Sequence, residues 1–215
     1  MDSLFSADSV LMRGLSRLAD VMILNLLFIV TSLPVVTLGA SLTALNFTAM
    51  RIGTGESNSV TEDYFRSFRR NLRQATVVGL ALGLLAGVLA AWYFVLTTSA
   101  LDAGAELVLM AIWYVLAFSL ATTALFAFPY LANFDGSTGD VLRNALLLSW
   151  RHLLTSLAAL AFITLCVVVT VFYPQAAGYG LFWFMLGFAG IAVVNGWLFT
   201  RVFNTYVGAS RTGET

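Results

Sequence analysis

The chain carries one imidazole, one thiol and a thin set of carboxylates from which acid–base chemistry could be built. His152 is the only histidine and Cys166 the only cysteine. Neither has companions at the spacing that a zinc site or a nucleophile–base pair requires. Cys166 cannot close an internal disulfide, and in the middle of an apolar segment it reads as a small packing residue. The patterns HExxH, GxxxxGK and GxSxG do not occur, so a zinc peptidase, a nucleotide hydrolase and a hydrolase with a nucleophile elbow lose their usual support. An enzyme assembled from scattered residues would have Asp20, Glu62, Asp63, Asp140 and His152 at its disposal. To act on a lipid-linked sugar, these would have to converge at the inner membrane surface. No catalytic, cofactor-binding or metal-binding residue is assigned, and no cofactor is expected.

Polar groups within the apolar stretches are amides and hydroxyls, chiefly Asn25, Asn46 and Asn195 with Thr31, Thr122, Thr123 and Thr164. Ion-coupled transporters usually hold Asp, Glu or His at membrane depth. Neutral amides serve interhelical hydrogen bonding. They also permit a second reading, in which Asn25, Asn46 and Asn195 line a polar cavity for hydroxyl-rich ligands and the protein is a small transporter or channel for neutral solutes such as sugars.

The elements that hold these residues are membrane helices. Val77 to Thr98, Leu107 to Tyr130, Leu153 to Tyr173 and Leu181 to Thr200 contain no charged side chain. Each is about 20 residues or more, the length of helix that crosses a hydrocarbon core of roughly 30 Å. Hydrophobic residues make up 60% of the 215 and charged ones only 10%, against about 25% charged in soluble domains. The mean hydropathy is +0.89. The 11 basic and 11 acidic residues cancel, so charge points to no nucleic-acid partner. The fold expected is all-α: a polytopic transmembrane bundle forming one domain over residues 1–215.

A fifth apolar region, Val21 to Met50, is interrupted by Pro34. Arg residues precede it (Arg13, Arg17) and follow it (Arg51, Arg66, Arg69, Arg70, Arg73), so both its ends look cytoplasmic. Proline disfavours helix at the residue before it, and Gly39 tolerates a turn. The preferred arrangement therefore sends one helix outward from about Met12 to Leu33, turns at Pro34 to Gly39, and returns through Ala40 to Met50. That makes six segments with both termini inside; a five-helix arrangement with the N-terminus outside is the alternative. Labelling a cysteine at Ser3 would separate them. The Arg-free connections near Asp102 and Pro174 should face outward. Met1 to Leu4 begin no secretory signal, so the N-terminus is expected to be retained.

Two cytoplasmic connections look amphipathic. In Ser59 to Arg73, Tyr64, Phe65, Phe68 and Leu72 share one helical face and Arg66, Arg69, Arg70 and Arg73 take much of the rest. The Ser59–Glu62 spacing marks a helix start, and a helix lying at the inner membrane surface is expected. Ser137 to Leu154 repeats the pattern with Ser137 and Asp140 at cap spacing and with Trp150, Arg151 and His152 matching Phe68, Arg69 and Arg70. A weak internal repeat, residues 40–98 and 107–173, follows from that alignment. Gly79, Gly83 and Gly87 recur every four residues and suit close helix packing inside the bundle.

The stretch NLLFIVTSLPVVTLGASLTALNFTAMR, followed by DYFRSFRRNLRQA and later by FPYLANFD and LRNALLLSWRHL, resembles the YesL family of small bacterial membrane proteins, a domain of unknown function. The most specific part runs from Asn25-Leu26-Leu27 and Leu33-Pro34 to Thr43-Ala44-Leu45 and Arg51; the family's Pro-Ala-Thr-Ala-Ala is Ala40-Ser41-Leu42-Thr43-Ala44 here. The resemblance implies a multi-pass protein of the bacterial cytoplasmic membrane with an accessory role in carbohydrate uptake or sensing. On that view Phe65, Phe68, Arg66, Arg69, Arg70, Arg73, Trp150 and Arg151 form a surface that meets lipid headgroups or docks a partner such as an ABC transporter subunit.

Overall fold

Lipid offers no partner for a free backbone amide, so a chain this apolar satisfies its N–H and C=O groups within helices. The computed structural model describes residues 10–99, 102–175 and 178–212, with backbone alone for residues 10, 179 and 204–212. Helices and their connections account for these residues, without strands. Seven α-helices follow in order: α1 (Val10–Ser32), α2 (Leu38–Thr54), α3 (Val60–Thr98), α4 (Ala103–Asn133), α5 (Thr138–Arg151), α6 (Leu153–Phe172) and α7 (Phe188–Thr212). A π-helical turn, Trp183–Gly187, leads into α7. Six of the helical stretches among the described residues are long and apolar enough to cross a membrane. Ser3 lies outside the described residues.

The break at Pro34 is a true hairpin. Pro34 is extended, and a single 3₁₀ turn, Val35–Thr37, starts the return. Its carbonyls do not go unmet: the Thr37 hydroxyl donates to Thr31 O (2.7 Å) and Pro34 O (2.8 Å). The return helix α2 runs 17 residues, longer than Ala40 to Met50, and ends at Gly55, whose φ of 75° only glycine adopts freely.

α2 is the hub, packing on α1, α3, α4 and α7. Its small side chains allow this. A Cβ on Gly39 would stand 2.1 Å from the Ala75 carbonyl oxygen, and one on Gly79 would stand 3.2 Å from Gly39 Cα. At Gly83 and Gly87 the same atom would meet nothing within 4 Å. The close α2–α3 contact thus uses Gly79 of the glycine stripe together with Gly39.

One expectation is corrected here. Ser59 to Arg73 does not form a separate helix lying flat on a membrane surface; it is the first part of the 39-residue α3. Gln74-Ala75-Thr76 holds no helix breaker, so the helix continues into the apolar stretch. Its residues from Asp63 to Ala75 run antiparallel to α2, as the Arg51–Asp63 and Gly39–Ala75 contacts at its two ends fix. α5 by contrast is a distinct amphipathic helix. It opens with a full capping box between Ser137 and Asp140 and ends at His152, where the Ser156 hydroxyl donates to Ser149 O (2.7 Å) and ties α5 to α6.

α3 and α4 form a long antiparallel pair. Arg70 donates to Ala132 O (2.9 Å), Gln74 to Gly136 O (2.8 Å), and the Trp113 indole to Leu89 O (2.8 Å). Beyond Gly79 the pair runs past the α1–α2 turn, leaving Leu84, Val88, Phe94, Leu107 and Ile112 exposed. Such a surface is stable only in an apolar solvent.

Candidate functional site

Asn25 stands apart from Asn46 and Asn195. Asn25 is fully buried and serves the π-helical turn: its amide nitrogen donates to Trp183 O (2.9 Å) and Phe184 O (2.7 Å), and its Oδ1 accepts from the Ala189 N–H (3.0 Å). A π turn disturbs the usual ladder, and Asn25 supplies the missing partners from α1. The turn also makes room for Trp183, whose ring would lie 2.6 Å from a Cβ on Gly187. The Trp183 indole donates to the Thr170 hydroxyl on α6 (2.8 Å).

Asn46 and Asn195 do share a site. Both line a cleft of about 470 Å³ between α1, α2, α4, α6 and α7, with Asn25 outside its lining. Its walls are apolar, from Phe28, Leu45, Leu125, Phe128, Ile163 and Phe199. Asn46 donates to Leu42 O (2.8 Å) one turn back. Asn195 is 4% exposed, and its Oδ1 has no hydrogen-bond partner among the described residues. A second, larger groove of about 790 Å³ runs between α2, α3 and α4 past Gly79 and Gly83, and shares Leu42, Ala121, Ala124 and Phe128 as a common wall.

The Arg-bearing end is a separate region. Asp63, 4% exposed, accepts from Arg51 Nε (3.0 Å), from the Ser57 hydroxyl (2.9 Å) and from Arg66. Arg51 also donates to Glu56 O (2.7 Å), closing the α2–α3 connection. A buried carboxylate holds only when so surrounded. The aromatic face of α3 points inward: Tyr64 is fully buried, donating or accepting with the Thr31 hydroxyl at 2.5 Å, and Phe65 and Phe68 are half-buried against the core. Arg66, Arg69, Arg70 and Arg73 are exposed, with Arg69 5.9 Å from the Phe65 ring centre. Arg70 is spent in part on α4, whose C-terminal carbonyls favour a cation. On α5, Trp150 and Arg151 are exposed, and Trp150 meets Phe118 of α4 edge-on at 6.1 Å.

Of the acid–base candidates, Asp63 and Asp140 are engaged in structural contacts. Asp140 caps α5, and hydrogen bonds from the Ser137 hydroxyl and backbone N–H hold its carboxyl below the usual range. Burial, then the neighbouring Arg151 charge, lowers His152. No group of three or more His, Cys, Asp or Glu among the described residues could hold a metal ion.

The segment that holds the Pro34 hairpin, Asn25, the Gly39 contact and the Asp63 cluster is also the one with a known counterpart. Residues 21–93 match the family described as Protein of unknown function, DUF624. The match spans α2, about half of α1 and most of α3, about a third of the chain. No curated protein and no solved structure matches the chain. The sequence alone did not point to the Asp63 cluster or to Trp183 and Phe188 at the cleft. Asp63 and Arg66 stand three residues apart on α3, whereas Arg51 reaches Asp63 only through the α2–α3 connection.

Proposed function

We propose that this chain is a non-enzymatic accessory membrane protein that docks an acidic partner segment through the guanidinium face of α3. The observation that carries this reading is the exposed row Arg66, Arg69 and Arg73, spaced i, i+3 and i+7 on a helix whose opposite face is locked against α2. A rigid helix presents charges already placed, so docking loses little conformational entropy. Arg forks suit carboxylates in a partner or phosphates of an anionic membrane surface. With the Arg-bearing ends in the cytosol, as the positive-inside rule favours, the partner is a cytosolic segment of another membrane protein. The resemblance to YesL-like proteins of bacteria favours a subunit of a carbohydrate transporter.

The test is a triple charge reversal, Arg66→Glu, Arg69→Glu and Arg73→Glu, scored by co-purification from crosslinked native membranes. Partner recovery should fall about tenfold or more while the variant still inserts. Recovery unchanged, or no partner with the unaltered chain, defeats the reading. Reversal at Arg66 also touches Asp63, so the pair Arg69→Glu and Arg73→Glu serves as the milder variant.

A second reading, a pathway for neutral solutes such as sugars, draws support from Asn46 and Asn195 meeting in one cleft. Uptake of a panel of saccharides into proteoliposomes would test it, and absence of flux would remove it.

A further inference from the structure

We infer that the cleft between α2, α4, α6 and α7 binds a hydrocarbon-chain amphiphile whose uncharged head accepts a hydrogen bond from Asn195 Nδ2 and donates one to Asn46 Oδ1. This rests neither on docking through α3 nor on saccharide flux. The two amides meet the cleft through opposite ends. Asn46 spends its nitrogen on Leu42 O (2.8 Å), which turns Oδ1 the other way, and that oxygen has no donor among the described residues. Asn195 has its oxygen sealed inside the protein, so Nδ2 is the end at the cleft, with no acceptor among the described residues. The α2–α7 contact brings them together. A Cβ on Gly196, the neighbour of Asn195, would stand 3.6 Å from Met50 Cα, and Asn46 lies four residues before Met50 on the same face of α2. Along that contact the two positions are about one helical turn apart, roughly 5 Å.

With hydrocarbon around it, a donor or acceptor left unmet costs about 1–3 kcal/mol. A ligand head that supplies both partners recovers that loss twice. A hydroxyl, which donates and accepts through one oxygen, and a carboxamide, which does so through two atoms, share this chemistry. A carboxylate has no proton to donate, and its charge would be buried against apolar walls. Phe28, Leu45, Leu125, Phe128, Ile163 and Phe199 supply those walls, and they suit a hydrocarbon chain. The volume of about 470 Å³ lies within the range of roughly 300–1,000 Å³ for small-molecule sites. At the rim, Val167 of α6 and Phe188 of α7 are exposed. The cleft thus opens sideways between two apolar helices, so its ligand comes from the hydrocarbon phase and its chain trails back into it.

The experiment uses the full chain in lipid nanodiscs, hexadecanamide with a diazirine in its chain as probe, the methyl ester of the same photoreactive acid as control, and peptide mapping of the label. The ester accepts a hydrogen bond and cannot donate one. The amide should label α2, α4, α6 and α7 about tenfold more than the ester does. Asn46→Leu should lower labelling by the amide to near the ester's level and leave the ester's as it was, whereas a merely structural role for Asn46 would move both alike. Unlabelled hexadecanamide and 1-hexadecanol as competitors distinguish a carboxamide from a hydroxyl source of the head. Displacement by either supports the site; displacement by neither overturns it. Equal labelling of the unaltered chain by amide and ester also overturns the inference, since a bridging water would then suffice, as does label confined to other helices or an equal fall for both probes in Asn46→Leu. The amide–ester comparison needs no variant, so it decides even if Asn46→Leu fails to insert. Loss of partner docking in the α3 variants, or absence of saccharide flux, would leave these results untouched.

Discussion

Asn25 carries three hydrogen bonds across a helix interface. Replacing it by Leu keeps the volume and strands the carbonyls of Trp183 and Phe184. Buried orphans and lost interhelical bonds together predict a loss of about 1–3 kcal/mol, measured by denaturant unfolding in bicelles. Asn46→Leu, which removes a bond within one helix, should cost less. The three asparagines were indistinguishable along the sequence, where each is one amide in an apolar run. The contact that assigns Asn25 to structure joins positions more than 150 residues apart, and no local pattern encodes it. Asp140 is the opposite case, since its cap spacing from Ser137 was plain in the sequence and is realised in full. Because its carboxyl is held below the usual range, its contribution to the start of α5 is complete above the ordinary carboxylate pKa and is lost as pH falls through the lowered value. Amide hydrogen exchange should show the first turn of α5 opening at acidic pH, and Asp140→Ala should open it at neutral pH.

At the level of elements, α3 determines most of the architecture. Its 39 residues extend about 58 Å at 1.5 Å per residue, nearly twice a hydrocarbon thickness of roughly 30 Å. The end caps of this helix and its apolar half were legible; its continuity was not, because an amphipathic face reads the same whether it rests on lipid or on α2. Packing against the small-residue start of α2, Gly39, Ala40 and Ser41, decides the matter. Gly39→Ala should therefore disrupt the hairpin, at about 1–3 kcal/mol or more, since its Cβ cannot avoid a backbone oxygen 2.1 Å away. Gly87→Ala, which meets nothing within 4 Å, should change stability by less than about 0.5 kcal/mol. Thermal unfolding of the two variants in detergent gives the comparison directly, and equal effects would argue against the α2–α3 contact.

For the whole molecule, the spans and the Pro34 turn were readable because hydropathy and proline act locally, whereas the cleft required five helices to converge. Under the proposed function all six apolar helices cross, which puts both ends of the chain on one side. The guanidinium groups gather at one end, from Arg51 and Arg66 at the α2–α3 junction to Arg143 and Arg151 on α5. Aspartate and glutamate without arginine mark the other end, at Asp102 and Glu106. An even number of spans with the basic end in the cytosol underlies both the docking surface and the lateral cleft. Single cysteines at Gly14, Gly53 and Gly104, each clear of close backbone neighbours, probe it in intact cells with a membrane-impermeant maleimide, Cys166 having been replaced by Ser. Labelling at Gly104 alone is the predicted result; labelling at Gly14 or Gly53 from outside would contradict it.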